Sequence, residues 1–344
     1  MVAEVINPLK YPDWNELLMT NPDASFFHTD NWARVLFESY GYIPEYLSVK
    51  KNGTLVALLP FMVIDSFLTG RRGVSLPFSD SSDPIATDES LYRELVDYAV
   101  RYGKQSGWRN IEIRGGRCPR REMATYSEFY GHRLSLWRKE KAIFDGFRTN
   151  TKRNIKESLK AGVCVTFSSS MEAVEAFYRM NLCTRKAHGI PPQPKKFFRK
   201  IQEHILEKNM GTVALASREG QYLAGAVFFH FCPTVFYKYG ASHESGKLLR
   251  ANNLVMWEAI RFYKEKGYRN FLFGRTEYEN PGLRHYKKGY GAAEEIISYF
   301  NYDLRRDCPA RKKPKRGMDI KKIYRLVPIP LSKLVGTLIY RHVG

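Results

Sequence analysis

Cysteine is scarce in this chain of 344 residues: there are five, Cys118, Cys164, Cys183, Cys232 and Cys308. No two stand in C-x-x-C spacing, which argues against a structural zinc and against a disulfide framework and fits a reducing compartment. No uninterrupted apolar run reaches membrane-spanning length. The opening residues, MVAEVINPLKYPDW, lack the basic-then-apolar order of a secretory signal. These absences predict a cytoplasmic protein, either free or peripheral on the inner face of the cytoplasmic membrane. Acidic residues are in deficit, with 35 Asp+Glu against 55 Lys+Arg and a formal net charge of +20. The imbalance calls for an anionic partner: nucleic acid, a pyrophosphate-bearing substrate or an anionic membrane. Composition alone does not choose among them. What is present in quantity is apolar, 44% hydrophobic and 14% aromatic, which excludes a disordered chain and at this length predicts two domains.

Local patterns give the order of elements. A helix is expected over 30–40, capped by Asp30 or Asn31 and stopped by Gly41. Strands at 46–50 and 55–64 flank Asn52-Gly53, the dipeptide that suits a tight hairpin. A Gly/Ser/Pro/Asp-rich loop with one short strand follows to residue 87, then a helix over 91–104 and a strand within 107–116. The stretch 117–133 has no clear period and stays unassigned. Beyond it come a basic helix over 147–162, a strand at 163–167, a helix over 170–186 capped by Ser170, and a proline-rich loop at 188–194. A helix over 195–208, a hairpin around Glu219-Gly220, a strand at 234–241 and a long helix over 252–267 complete the run. The stretch 271–291, FLFGRTEYENPGLRHYKKGYG, reads as a strand delivering a loop with at most a short helical turn, and 294–303 is expected to close the second sheet.

The two halves share this order. Gly107-Trp108-Arg109-Asn110 and Gly267-Tyr268-Arg269-Asn270 each follow a helix and precede a strand, at matched offset, which suggests a duplicated domain. The divisions are therefore set at 1–146, 147–303 and a basic tail, 304–344. The tail carries RRDCPARKKPKR and then alternates basic residues with Ile, Leu, Val and Tyr. Two readings stay open for LSKLVGTLIYRHV: an amphipathic helix on an anionic membrane surface, or a helix packed back on the protein body.

The motifs NTKRNIKESLKAGVCV (150–165), YRMNLCTRKAHGIPPQP (178–194), the hairpin and helix over 211–267, and NPGLRHYKKGYGA (280–292) carry a resemblance. In order and motif the second half resembles the GNAT superfamily of N-acetyltransferases, and more closely its tandem branch, the FemABX-like aminoacyl transferases. The resemblance implies an α/β fold of tandem GNAT-like domains with mixed sheets, the first domain degenerate. It implies an N-acyltransferase that forms an amide on an amino group of an anionic envelope precursor, of peptidoglycan or exopolysaccharide type. Aminoacyl-tRNA or acetyl-CoA would be the co-substrate, with no tightly bound cofactor and no metal.

By the same resemblance, Lys287 and the backbone of Tyr286, in the GL-x-x-Y-K element, sit at the reacting carbonyl. An ammonium in a dry cleft suits the negative charge that builds on a carbonyl oxygen under amine attack; a phosphate-facing or solvated lysine is the other reading. Arg185, Lys186 and His188 end the helix where the family binds the acceptor's phosphates, although a helix C-terminus also welcomes cations for dipole reasons alone. Tyr239, Arg275, Asn280 and Gly282 are further substrate-side candidates. For the donor, the loop SGKLLRANN (245–253) offers Lys247, Arg250 and Asn252. It keeps Gly246 but replaces a second glycine of the acetyl-CoA loop by larger residues, which disfavours close backbone approach to a pyrophosphate and favours a tRNA-borne donor. No general base stands out, with Glu277 and Glu279 only flanking the loop. Two rivals remain: an acetyl-CoA-dependent enzyme acting on a polysaccharide or small amine, and a non-catalytic basic scaffold that binds RNA or membrane.

Overall fold

A computed structural model of the chain describes residues 3–117, 123–310 and 320–344. It divides into two compact units. The first holds the described residues of Met1–Phe129, Ile296–Arg316 and Leu338–Gly344, and the second those of Tyr130–Glu295 and Gly317–Thr337. Cys164, Cys183, Cys232 and Cys308 are free thiols, while Cys118 and the lysine-rich run at 311–319 lie outside the described residues.

The first unit begins with β1 (Glu4–Ile6), α1 (Trp14–Met19), α2 (Asp30–Tyr40), β2 (Ile43–Lys51) and β3 (Thr54–Ile64). It continues with β4 (Arg72–Val74), β5 (Ile85–Ala86), α3 (Glu89–Gln105) and β6 (Asn110–Arg114). The cap of α2 is Thr29 rather than Asp30 or Asn31: its hydroxyl accepts the Trp32 N–H at 3.3 Å. Gly41 ends the helix at φ 78°, as expected. Asn52 and Gly53, at φ 51° and 77°, turn β2 back along β3. The loop after β3 holds two short strands where one was expected. β5 pairs antiparallel with β3, and β4 pairs antiparallel with β3 and parallel with β6. Leu91, Leu95, Val96 and Ala99 of α3 pack on Leu47, Leu59, Phe61 and Val63 of the sheet, around Trp108.

The unassigned stretch ends in β7 (Thr125–Ser135), which from Tyr130 onward belongs to the second unit. There follow α4 (Glu140–Asp145), a short helix not anticipated, then α5 (Thr149–Lys160), β8 (Cys164–Ser168), α6 (Met171–Ala187) and α7 (Lys195–Ile201). A π-helical turn at Gln202–Leu206 continues α7. Next come β9 (Gly211–Arg218), β10 (Gln221–Phe231), β11 (Thr234–Ser242), α8 (Glu244–Leu248), α9 (Ala251–Glu265), β12 (Asn270–Leu272) and α10 (Pro281–Lys288). Strand order in this unit is β7-β12-β11-β10-β9-β8, antiparallel except for the parallel β11–β12 pair. Leu254, Val255, Trp257, Ile260 and Tyr263 of α9 fill the space over Ala214, Phe228, Val235 and Phe271.

β13 (Ala293–Asp303) and β14 (Cys308–Pro309) correct one expectation. Residues 294–303 were expected to close the second sheet. Instead Tyr299–Asp303 pair antiparallel with β6, in the first unit. In the second unit the equivalent place beside β12 is taken by β7, with Asn270 opposite Ser135. Each post-helix strand thus has a parallel neighbour on one side and an antiparallel one on the other, β4 and β13 for β6, β11 and β7 for β12. The matched Gly107 and Gly267 both adopt left-handed φ, 70° and 82°, so the repeated G-aromatic-R-N turns do the same local job. The chain ends in α11 (Ile320–Leu326) and α12 (Ile329–Ile339).

Candidate active site

The second unit is opened by a fault in its own sheet. Val227 opposes Tyr239 and Phe228 opposes Tyr237, so Lys238 is an extra residue in β11, a bulge that bends the strand. β11 and β12 stay paired only from Thr234/Asn270 to Phe236/Leu272. Beyond Leu272 the chain keeps to β7: Phe273 donates its N–H to the His132 carbonyl at 2.9 Å, and Thr276 exchanges two hydrogen bonds with Tyr130. The two parallel strands therefore part at Tyr237 and Phe273. The divergence leaves the carbonyls of Gly274 and Arg275 turned out of the sheet ladder.

Lys287 meets them. The ammonium is buried, the residue only 3% exposed, and its Nζ donates to Gly274 O at 2.8 Å and Arg275 O at 2.9 Å. A charge taken out of water must be hydrogen-bonded, and these two backbone carbonyls accept from it. The element that delivers Lys287 is longer than expected. The 271–291 stretch was read as a loop with at most one helical turn, but α10 is eight residues long, with Pro281 in its first turn and Asn280 capping it through Oδ1 to the Leu283 N–H at 3.1 Å. Asn280 is thus tied up as a cap, and Gly282 lies in the first turn of the helix it starts. The Tyr286 hydroxyl donates to Asn252 O at 3.1 Å and accepts from Tyr290, whose own hydroxyl accepts from Asn253 Nδ2. Burial, with Tyr290 and Tyr237 adding to it, pushes the Tyr286 phenol well above its ordinary range, so it stays neutral. This chain of hydroxyls pins α10 to the start of α9, and Lys287 with it.

A second, partly buried group supports the same helix and was not read from the sequence. Arg284 grips Glu294 with both arms, Nε to Oε2 at 2.7 Å and Nη2 to Oε1 at 2.6 Å, while its guanidinium lies 3.9 Å over the Tyr130 ring. The Arg284 hydrogen bond holds Glu294 below the usual carboxylate range. His132 Nε2 stands 3.3 Å from Glu294 Oε2. Burial, and then the field of Lys287, lower the His132 pKa to about 4, which keeps the ring neutral. His132 and Tyr130 fall in the stretch without a period and Glu294 in a strand assigned to packing, so no local signal marked them.

The acceptor candidates form another group at the end of α6. Arg185 Nε and Nη2 both reach Pro191 O, at 3.4 and 3.3 Å, folding the proline-rich loop against the helix end. Thr184 Oγ1 donates to Ser242 O and accepts from Ser242 N, tying α6 to the end of β11. The pKa of His188 is lowered, first by burial and then by Arg185, Lys247, Arg325 and Lys321. Lys247, grouped with the donor residues in the sequence, is therefore electrostatically part of this cluster. It also pairs with Glu244 at 2.8 Å. Lys186 is half-buried in the last turn of α6. Tyr239 packs on the opposite side of the bulge from Tyr237, among Phe197, Phe198 and Phe229.

The donor loop is not a glycine nest. Residues 244–248 coil into α8, and a Cβ at Gly246 would overlap the Leu223 carbonyl, so that glycine serves packing. Arg250, at φ 55°, precedes α9 without a side-chain cap, and Asn252 takes part through its carbonyl. Arg275 likewise contributes a carbonyl, while its guanidinium lies 3.8 Å from Glu277.

The family described as the acetyltransferase (GNAT) domain matches residues 145–288. A lipid II:glycine glycyltransferase of Staphylococcus haemolyticus is 32% identical over 114 residues, 30% of this chain and 27% of that protein. A UDP-N-acetylmuramoylpentapeptide-lysine N(6)-alanyltransferase of Weissella viridescens is 25% identical over 122 residues, 36% of each. The chain thus spans about a quarter to a third of the length of these curated relatives. The crystal structure of FemX superposes with a TM-score of 0.71 at 14% identity, over 89% of this chain and 98% of that one, and shares its fold. Residues 145–288 thus match the GNAT acetyltransferase domain, part of the chain is similar in sequence to Fem-type transferases, and the chain shares the fold of FemX.

Proposed function

We propose that the protein is an N-acyltransferase that forms an amide on an amino group of a cell-envelope precursor, with aminoacyl-tRNA as donor. The observation that carries this reading is the parting of β11 from β12 with the buried Lys287 ammonium held at the parting. In the reaction the acceptor amine attacks the ester carbonyl. The C–N bond forms, the C–O bond to the ribose breaks, and the amine's proton ends on the departing ribose oxygen. Negative charge gathers on the carbonyl oxygen in between, and Lys287 is the charge that meets it. The proton has no assigned carrier; Glu277 and Glu279 are exposed beside the loop, and transfer within the substrates serves equally.

Arg185, Lys186, His188 and Lys247 are the groups suited to the acceptor's phosphates, since guanidinium binds phosphate in two-armed fashion and Lys acts as a point charge. The acceptor is of peptidoglycan or exopolysaccharide type, and the activities for which the two relatives are named support the first. The reading puts catalysis within 147–303 and treats 1–146 as a degenerate partner domain. It also puts the protein at the inner face of the cytoplasmic membrane.

The second reading is an acetyl-CoA-dependent N-acetyltransferase, favoured by the description of the matched family. The helical SGKLL segment speaks against it, because it leaves no glycine loop to approach a pyrophosphate. The test is to incubate the protein with a muramoyl-pentapeptide bearing a free lysine amine and either aminoacyl-tRNA or acetyl-CoA, and to weigh the acceptor. A gain of one aminoacyl residue supports the proposal. A gain of an acetyl group moves the conclusion to the second reading, and no gain with either donor overturns both.

A further inference from the structure

A surface helix normally turns its leucines inward and its small polar residues outward. α12 does the reverse. Ser332 and Gly336 are buried, one turn apart, while Leu331, Leu334 and Leu338 are 51%, 56% and 58% exposed. The i, i+3, i+7 spacing of the three leucines sets them in one stripe. Leu326 at the end of α11 is 83% exposed and Ile323 46%.

The inversion is built in. A Cβ on Gly336 would overlap the Pro192 carbonyl, and one on Gly189, at φ 66°, would overlap the Lys321 carbonyl. The small face is therefore clamped on the proline-rich loop, and the leucines can only point away. Beyond α12, in the first unit, His342 Nδ1 lies 3.0 Å from Ser66 Oγ and Tyr42 donates to Val343 O at 2.9 Å, so the end of the chain is fixed as well. The formal charges of the segment itself are of one sign. From residue 320 to 344 there are five basic side chains, Lys321, Lys322, Arg325, Lys333 and Arg341, and no Asp or Glu.

We propose that α11 and α12 dock the protein on an anionic lipid surface, with Leu331, Leu334 and Leu338 at the headgroup–acyl boundary and the lysines and arginines on the phosphates. Exposed apolar side chains in a segment whose own charges are all cationic are the composition of a helix that lies in a membrane interface. The eleven residues of α12 are about 16 Å long, too short for the ~30 Å hydrocarbon core, so the helix lies on the bilayer and does not cross it. The two readings of the tail are thereby joined: one face packs on the body so that the other can meet the membrane. The docking does not depend on the acyltransferase reading, because it is measured without donor or acceptor.

The test is co-sedimentation of the full chain with vesicles of phosphatidylcholine alone and of phosphatidylcholine with phosphatidylglycerol. The protein is expected to pellet with the anionic vesicles only. Neutralising Lys321, Lys322 and Arg325 to Gln together should weaken binding roughly 100-fold, at about five-fold per charge. The exposed triple substitution L331S/L334S/L338S should release the protein while leaving its thermal midpoint unchanged. In a Leu334→Trp variant the new tryptophan should enter the interface and change its emission on adding anionic vesicles. Binding by the leucine triple variant equal to wild type, emission of Leu334→Trp that does not respond while the protein sediments, or no sedimentation of the wild type, each overturns the proposal. So does a lipid-free dimer that the leucine substitutions dissociate, since the stripe would then be a protein contact.

Discussion

The chemistry proposed for the site and its local stability both rest on the Lys287 side chain. Its ammonium satisfies two backbone carbonyls that the parted strands leave without ladder partners. Lys287→Ala should lower turnover by at least ~100-fold, the usual cost of losing an oxyanion stabiliser, and should also cost ~1–3 kcal/mol of stability by orphaning those carbonyls. Turnover measured well below both unfolding midpoints separates the effects; a wild-type rate there would remove Lys287 from the mechanism. Two histidines make a prediction about pH. His132 and His28 are buried, and burial lowers both to about 4 from a normal 6.5. Between those values the unfolded chain takes up protons that the folded one refuses, so stability falls as pH drops from 7 towards 4. Each histidine contributes about 3 kcal/mol at full effect. Urea midpoints at pH 7.5 and pH 5 should show the loss, and His28→Gln or His132→Gln should each flatten it. An unchanged slope in both variants would contradict the assignment.

At the scale of elements, the bulge at Lys238 and the helix α10 build the site together. The bulge adds one residue, so Tyr237 and Tyr239 turn to opposite faces despite lying two apart. Deleting Lys238 leaves those faces as they are and only straightens β11. The deletion should keep a thermal midpoint near that of wild type but lose most turnover, by closing the divergence; full activity in a folded deletion variant would show that the bulge does not open the site. Elements with a local signature were legible in the sequence. Gly41, Asn52-Gly53 and Glu219-Gly220 each need left-handed backbone, and Ser170 caps α6 as expected. What escaped depended on distant partners. β7 has no period of its own because its place is set by β12, and β13 was assigned to the sheet nearest in sequence although β6 claims its end. The length of α10 was within reach, since Asn280 and Pro281 are a cap and a first-turn proline, but Gly282 and Gly289 around them read as loop. In the candidate site Lys287 stands in a motif that the sequence shows, whereas His132, Arg284 and Glu294 meet only through the fold.

At the scale of the whole molecule, the net charge of +20 is spent in identifiable places. Arg185, His188, Lys247, Lys321 and Arg325 share one electrostatic neighbourhood at the end of α6. The basic helix α5 adds Lys156 and Lys160, both exposed. The repeated G-aromatic-R-N turns are matched at the level of strand neighbours, and the second copy carries Lys287 where β11 parts from β12. The account proposes its acyl-transfer site there. It is tested most directly by titrating the protein, at physiological salt, with aminoacyl-tRNA, with the same tRNA uncharged, and with acetyl-CoA. The account predicts saturable binding that prefers the charged tRNA, with that preference lost in Lys287→Ala. Equal affinity for charged and uncharged tRNA, or saturable binding of acetyl-CoA in place of either, would contradict it.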